Sequence, residues 1–170
     1  MEDEIRVIKE EFDTVDSLKK ILNLIKKRGI IVEEIDYLYY PYWLVKLSIH
    51  VKQLFGSREF KKVFLMIDGL SGVIGYSEEP ILRIEKIGKN DGKKYLKPKM
   101  RVKDVDIRKY IIATFPLKYR ISLAKDIIIK SIQTNLVYKK FWLIKMHNPK
   151  TGKKITLLID SVSGAMEYVF

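Results

Sequence analysis

The chain has 170 residues, of which 47% are hydrophobic, and its 33 Lys and Arg exceed its 21 Asp and Glu to give a formal charge of +12. This composition excludes a disordered chain and suits one ordinary domain or two small ones. The absence of cysteine excludes disulfides, thiolate metal sites and thiol nucleophiles. The acidic start lacks a signal-peptide pattern and no apolar run is long enough for a membrane span, so we expect a cytoplasmic protein.

The first predicted elements are a strand over 5–12 and a helix that follows it. Asp13 or Thr14 can serve as the N-cap of this helix. Its buried stripe is given by apolar residues at helical spacing, namely Leu18, Ile21, Leu22 and Ile25. Gly29 supplies the left-handed residue that ends helices.

A long strand over 37–52 is predicted next. Its alternate residues form one apolar core face, made of Tyr37, Tyr39, Pro41, Trp43, Val45, Leu47, Ile49 and Val51. Pro41 cannot donate to a ladder, which predicts an edge or a bulge at that point. The turn 55–57 then leads into a hairpin partner, which ends at Asp68.

The middle of the chain, 88–103, is rich in Lys and Gly and is predicted to be a basic linker or a hairpin. After it we predict a strand over 110–115, although the same residues can extend a helix from Asp106. A second helix is then expected, with Ser122 as N-cap and a buried stripe of Leu123, Ile127, Ile128 and Ile132.

An internal repeat is the clearest signal in the sequence. Residues 61–72 and 153–164 share two lysines, an apolar run and the pattern Ile-Asp-x-x-Ser-Gly. Upstream of this pattern, Trp43 and Trp142 occupy the same relative place, each four residues after a tyrosine. We therefore interpret the chain as two diverged copies of one unit.

The paired motifs of Asp68 with Gly72 and of Asp160 with Gly164 resemble the PepSY type of repeat. That resemblance implies a cystatin-like fold and a role in protein binding or inhibition. The predicted fold class is accordingly α+β: two β-α-β-β(-β) repeats, each a helix packed on a small antiparallel sheet. The predicted divisions are 1–87 for the first repeat, 88–103 for the linker or hairpin, and 104–170 for the second repeat.

The excess of positive charge predicts a non-catalytic protein that engages an anionic partner, with DNA or RNA as the leading hypothesis. The alternative is a protein-interaction or inhibitory module of PepSY-like type. A Lys-rich surface is also typical of thermophilic proteins, and the scarcity of Gln in this chain is a second feature of such proteins. The residues expected to contact nucleic acid are Lys61, Lys62, Lys93, Lys94, Lys97, Lys99, Arg101, Lys139, Lys140, Lys153 and Lys154.

Catalytic sites are not predicted, nor are a metal or a cofactor. Asp68 and Asp160 are interpreted as turn residues whose carboxylates accept from backbone amides two residues on. His50 and His147 do not occupy equivalent repeat positions, and no second ligand lies at metal spacing from either. Both histidines are interpreted as surface residues.

Strand alternation leaves an apolar outer face on each predicted hairpin. We expect this face to be buried between the units of a pseudo-two-fold monomer or within a homodimer. The residues predicted for such an interface are Tyr40, Tyr42, Leu44, Phe64, Met66, Phe141 and Leu143.

Overall fold

A computed structural model describes residues 3–87 and 95–169 of the chain. The eight strands are β1 (Asp3–Ile8), β2 (Ile31–Gln53), β3 (Ser57–Asp68), β4 (Ile74–Ser77), β5 (Leu82–Ile87), β6 (Ala124–His147), β7 (Lys154–Asp160) and β8 (Met166–Val169). The two α-helices are α1 (Lys19–Lys27) and α2 (Ile107–Lys118), each preceded by a 3-10 turn, at Val15–Leu18 and Val102–Asp104.

The predicted fold class is wrong, because the protein is mostly sheet, with 54% strand and 18% helix. All eight strands belong to one mixed sheet of order β4-β3-β2-β6-β1-β5, to which β7 is joined through β6 and β8 through β7. Neighbouring strands are antiparallel in β1–β5, β2–β3, β3–β4, β6–β7 and β7–β8, and parallel where Val7 of β1 meets Tyr138 of β6. Two small sheets, each with its own helix, do not describe this architecture.

Two compact units divide the chain, and they cut across the sequence repeats. Unit 1 comprises 1–40, 81–96 and 138–170, and unit 2 comprises 41–80 and 97–137. The strands β2 and β6 have 23 and 24 residues, and each strand is divided between the two units. Strands of this length exceed the usual 3–10 residues. The predicted strand over 37–52 forms most of β2, whereas the first part of β6 was predicted as a helix.

Unit 1 has its core where α1 packs on the hairpin of β6 and β7. Leu18 and Ile25 on the helix side meet Trp142, Ile144 and Leu157 of the hairpin, all buried. The predicted first helix is confirmed: Thr14 caps the turn before α1 by accepting from Ser17 N, and Gly29 follows the helix with φ +72°. A helix from the first copy thus covers the hairpin of the second copy.

Unit 2 repeats this exchange in the opposite sense. The buried face of α2, formed by Ile107, Ile111 and Phe115, packs on Val45 and Leu65 of the hairpin of β2 and β3. This spacing of four residues puts the three side chains on one face of the helix. The helix of the second copy therefore covers the hairpin of the first.

The preferred prediction misplaced the second helix. Residues 110–115, predicted as a strand, belong to α2, so the alternative of a helix that extends from Asp106 is confirmed. The predicted helix from Ser122 is wrong as well, because Ile127, Ile128 and Ile132 lie in β6. β-branched residues favour strands, and here that preference prevailed over the helical spacing of the isoleucines.

The repeat is visible in the strand registers. Trp43 faces Ile67 and Trp142 faces Ile159, one residue inside the pairs formed by Asp68 and by Asp160. Pro41 is not on an edge strand, since β2 lies between β3 and β6, but the ladder with β3 begins only at Tyr42. Of the helices in the described part of the chain, none has both the length and the apolar character needed to cross a bilayer.

Candidate functional site

Helix α2 and the segment leading into it carry a dense set of exposed cations. Asp106 caps the helix by accepting from Lys109 N at 2.8 Å, and Ile107 then begins the buried face. Because that face takes every fourth residue, Arg108, Lys109 and Lys118 fall on the solvent side of the helix, where all three are exposed. Local helix geometry therefore presents the charges outward.

Positive charge is concentrated in unit 2. Its Lys and Arg number fifteen against seven Asp and Glu, a net +8, whereas unit 1 has eighteen against fourteen, a net +4. The stretch 97–125 alone holds nine exposed cations and two acids. One of these acids, Asp104, pairs with Arg101 at 3.0 Å, and the other is the N-cap of α2.

Arg108 and Lys109 lie in the first turn of α2, which contains no acidic residue. The amide groups of a helix N-terminus carry partial positive charge, so cations there oppose the helix dipole. These two side chains consequently weaken the helix that carries them.

A shallow depression of about 560 Å³ lies beside these residues. Its polar rim holds the cations Lys103 and Arg108 together with Asp104 and Asp106, while Val105 and the exposed Ile132 contribute apolar surface. A second depression, of about 380 Å³, continues along α2 past Lys109 and Ile112. This shallow surface, lined by residues 102–109, 112, 113 and 132 with three cations and two acids, is here called the basic groove.

The cations predicted from the sequence have different surroundings. Lys97, Lys99 and Arg101 are exposed and lie in the stretch that leads to the basic groove. Exposed positions are also taken by Lys61 and Lys62 of β3, with Lys62 at 3.4 Å from Glu79, and by Lys153 and Lys154 at the start of β7. Lys93 and Lys94 lie outside the described residues.

Lys139 and Lys140 do not present free charge to a ligand. Lys139 is paired with Asp160, and Lys140 is only 6% exposed. The sequence prediction in turn missed Lys103, Arg108, Lys109, Lys118, Arg120 and Lys125. The signal that could have found them is the cap at Asp106 followed by apolar residues at 107, 111 and 115.

A buried group of charged residues in unit 1 is the second notable site. The Glu10 side chain is fully buried, and its Oε2 lies 2.6 Å from Arg83 Nη2. This is an ion pair without hydrogen-bond geometry, since neither oxygen of Glu10 has a hydrogen-bond partner. Arg83 also pairs with Glu85, whose carboxylate accepts from the Tyr39 hydroxyl.

Lys140 completes this buried group. Its Nζ donates to Asp13 O at 2.8 Å and lies 4.2 Å from the ring centre of Trp142. Burial raises the pKa of Glu10 despite Arg83 and lowers the pKa of Lys140 despite Glu10. The pKa of Tyr39 is raised by burial and by its bond to Glu85.

The equivalent positions of unit 2 show whether the local fold needs the buried charges of unit 1. Ser161 N donates to Lys140 O at 3.2 Å in unit 1, and Gly69 N donates to Pro41 O at 2.9 Å in unit 2. Phe12 N and Met100 N likewise donate to the carbonyls of Ser161 and Gly69. Unit 2 therefore has Pro41 in the place of Lys140 and Pro98 in that of Glu10, and the same local fold forms without the charges.

The interpretation of the paired aspartates as turn residues is confirmed. The Oδ1 of Asp68 accepts from Leu70 N at 2.8 Å, and that of Asp160 accepts from Val162 N at 2.9 Å. Gly72 and Gly164 follow with φ of +77° and +70°. Both carboxylates are thus occupied in stabilising their turns.

Each histidine is half-buried on a strand. His50 faces Glu59 across the β2–β3 ladder, and His147 Nδ1 lies 2.9 Å from Glu33 Oε1. Within 3–87 and 95–169, His, Asp and Glu do not gather in threes in a manner that could hold a metal.

The predicted interface residues are not open to solvent. Leu44 and Phe64 are 6% and 7% exposed in the single chain, and the other five are half-buried, namely Tyr40, Tyr42, Met66, Phe141 and Leu143. Tyr40 meets Phe141 edge-on with ring centres 6.0 Å apart. A second copy is therefore not needed to remove Leu44 and Phe64 from water.

Comparisons with known proteins do not assign this chain to a family: no family model matches it, nor does a curated protein or a solved structure. The similarity to PepSY repeats stays an expectation from the sequence.

Proposed function

We propose that the protein is a non-catalytic nucleic-acid-binding protein that contacts the phosphate backbone of DNA or RNA through the basic groove of unit 2. The observation that carries this proposal is the stretch 97–125, where nine exposed cations accompany only two acids, both engaged within the chain. Neutralising phosphates with such side chains releases counterions, which drives association.

The placement of the charges supports a ligand more than general solubility. Solvation would be served by cations at any exposed position, yet Arg108 and Lys109 occupy a helix N-terminus, where they are unfavourable. Unit 1 has a comparable number of residues and half the net charge. A uniform thermophile surface would not produce this asymmetry.

The test is binding of a labelled oligonucleotide across a salt series, with single-stranded and duplex forms. In the groove variant, Lys103, Arg108 and Lys109 are replaced by Gln. Its matched control replaces three exposed cations of unit 1, Lys20, Lys86 and Lys150, by Gln and so has the same net charge. The groove variant should bind more weakly, and the slope of log K against log salt should fall by about 2 to 3.

Two results would reject the proposal. The first is no binding of either oligonucleotide at low salt. The second is an equal loss in both variants, which would assign the attraction to net charge alone. Circular dichroism melting is the folding check, and removal of the two first-turn cations should leave α2 at least as stable.

A second candidate function, protein interaction of PepSY-like type, is favoured by an apolar groove in unit 1. A cavity of about 110 Å³ lies between α1 and β8, lined by Leu24, Ile25, Met166 and Tyr168 with Arg28 at its side. Leu24, Met166 and Tyr168 are each at least half exposed. A pull-down after nuclease treatment that recovers one defined protein, and loses it in Leu24→Lys, would favour this function.

A further inference from the structure

Two turns of unit 2 meet at the end of α2 remote from its N-cap. One is the β2–β3 turn, which contains Leu54 and Phe55, and the other joins α2 to β6. Gln53 Nε2 donates to Ser122 O at 3.3 Å across them, and the rings of Phe60 and Tyr119 contact edge-on at 5.0 Å. The two turns therefore form one local structure.

Large apolar side chains protrude from this structure. Phe55 is 86% exposed, the highest value among the large apolar residues described, and Leu117 and Leu123 are 80% and 65% exposed. Leu54 adds a fourth, at 46%. Exposed apolar residues are ordinary when scattered, but here three lie on two adjoining turns and Leu117 lies in the last turn of α2 beside them, which makes a patch. These four residues are here called the apolar tip.

Cations surround the apolar tip. Five exposed basic residues come from the same two segments, namely Lys52, Arg58, Lys118, Arg120 and Lys125, and neither 52–58 nor 117–125 contains an acid. Arg58 is held in place by Phe60, with its guanidinium carbon 4.7 Å from the ring centre. The two segments that carry the patch are therefore basic, and the nearest acids along the chain, Glu59 and Asp126, directly follow them.

Backbone conformation in the second turn gives an independent indication. Arg120 and Leu123 have φ of +51° and +54°, and they are the two non-glycine residues with positive φ in the described chain. Glycine adopts this conformation without cost, whereas a leucine in it is strained. Retention of a large, exposed side chain at a strained position points to a role outside folding.

We propose that the apolar tip docks the protein on the surface of a lipid bilayer that contains anionic headgroups. Phe55, Leu54 and Leu123 would enter the boundary between headgroups and acyl chains, while Arg58, Arg120 and their neighbours pair with lipid phosphates. This site is separate from the basic groove, since the 12 residues of α2 span about 18 Å. Among polyanions, a bilayer is favoured because three of the four apolar residues are leucines, which cannot stack on bases.

The experiment is flotation with two kinds of vesicle, phosphatidylcholine alone and phosphatidylcholine with phosphatidylglycerol. We expect binding to the anionic vesicles and weaker binding to the neutral ones. Leu54→Ser combined with Phe55→Ser should reduce affinity for the anionic vesicles roughly 10- to 100-fold, from the apolar area no longer buried. Val73→Ser is the control, because Val73 is 68% exposed and lies beyond the other end of β3.

Insertion is tested separately with Phe55→Trp and vesicles of brominated lipid. The added tryptophan should be quenched, while a tryptophan placed by Val73→Trp should not be. The proposal is overturned by an absence of binding to anionic vesicles, by equal binding of the double serine variant, or by an unquenched tryptophan at position 55.

Two other occupants of the tip would also overturn it. Sedimentation that shows a dimer dissociated by the double serine variant would assign the tip to a second copy of the chain. A loss of oligonucleotide affinity in that variant, without vesicle binding, would assign it to nucleic acid.

Discussion

The indole Nε1 of Trp142 donates a hydrogen bond to the backbone carbonyl of Phe12 at 2.7 Å. Trp43 makes the same contact in unit 2, donating to Met100 O at 2.8 Å. Each tryptophan thus connects a hairpin to the segment that leads into the helix covering it. Phe12 belongs to the other copy of the repeat, and Met100 belongs to the segment 88–103 between the copies. These two hydrogen bonds stabilise the packing of each helix on the hairpin it covers, because an indole N–H removed from water needs an acceptor.

Replacement of Trp142 tests the importance of this contact. Trp142 is 4% exposed and packs in the core of unit 1. Trp142→Ala should lower the free energy of unfolding by about 3–5 kcal/mol, through lost burial and a cavity. Trp142→Phe keeps most of the buried apolar area and should lower the free energy of unfolding by less. Urea denaturation measures both, and a loss below about 1 kcal/mol for Trp142→Ala would contradict the assigned role.

The sequence predicted local features well and connectivity poorly. The first helix, the core face of β2 and the Asp turns depend on residues close in the chain, where capping and periodicity act. The packing of α2 on Val45 and Leu65 depends on contacts between segments that are distant in the chain. A repeat pattern in the sequence does not predict such contacts. A helix produces the same apolar stripe whichever hairpin it covers.

The candidate sites were predictable to different degrees. Lys97, Lys99 and Arg101 were named because clustered cations are visible in any sequence, whereas Arg108 and Lys109 were not named because a helix from Asp106 was only the alternative to a strand over 110–115. The burial of Lys140 could not be predicted, since its neighbours Glu10 and Arg83 are distant in sequence. The apolar tip was not recognised because it requires two turns to meet.

The buried charges of unit 1 should be coupled energetically. Glu10→Leu alone removes the negative charge that balances Lys140 and Arg83, and it should lower the free energy of unfolding by about 3–5 kcal/mol. Glu10→Leu combined with Lys140→Met should be close to neutral or stabilising, because unit 2 forms the same structure with Pro98 and Pro41. A double-mutant cycle in urea measures this coupling, and additive losses would show that the two residues act independently.

Stability at acid pH should depend on Asp160. Burial alone would raise the pKa of this carboxyl, but Lys139, the Ser163 hydroxyl and the Val162 amide outweigh burial and lower the pKa. A depressed folded-state pKa contributes stability above the unfolded pKa, and this is lost as pH falls through the folded pKa. Asp160→Asn should cost about 1–2 kcal/mol at neutral pH, and this cost should shrink as the pH falls through the folded-state pKa. A cost that does not change with pH in the acid range would contradict this linkage.

Glycine is required at position 69 for packing. A Cβ built on Gly69 would lie 2.7 Å from the backbone oxygen of Pro41, which cannot move cheaply. Gly69→Ala should therefore cost about 1–3 kcal/mol. Gly75→Ala is the matched control, because its Cβ would meet no atom within 4 Å. Thermal melts of the two variants should separate clearly, and coincident melts would disprove the steric argument.

The strain at Leu123 predicts a substitution that stabilises the protein while weakening the lipid contact. Leu123 has φ +54° and is 65% exposed, so Leu123→Gly relieves a left-handed leucine and gives up little burial. We expect a gain of about 0.5–1 kcal/mol in the free energy of unfolding.

Leu54→Gly, at a turn position without positive φ, should instead lose stability because glycine adds entropy to the unfolded chain. If the apolar tip docks on lipid, both variants should bind anionic vesicles more weakly, so that at position 123 stability and binding change in opposite directions. A destabilised Leu123→Gly would show that the leucine is retained for packing, and would remove strain from the argument for the tip.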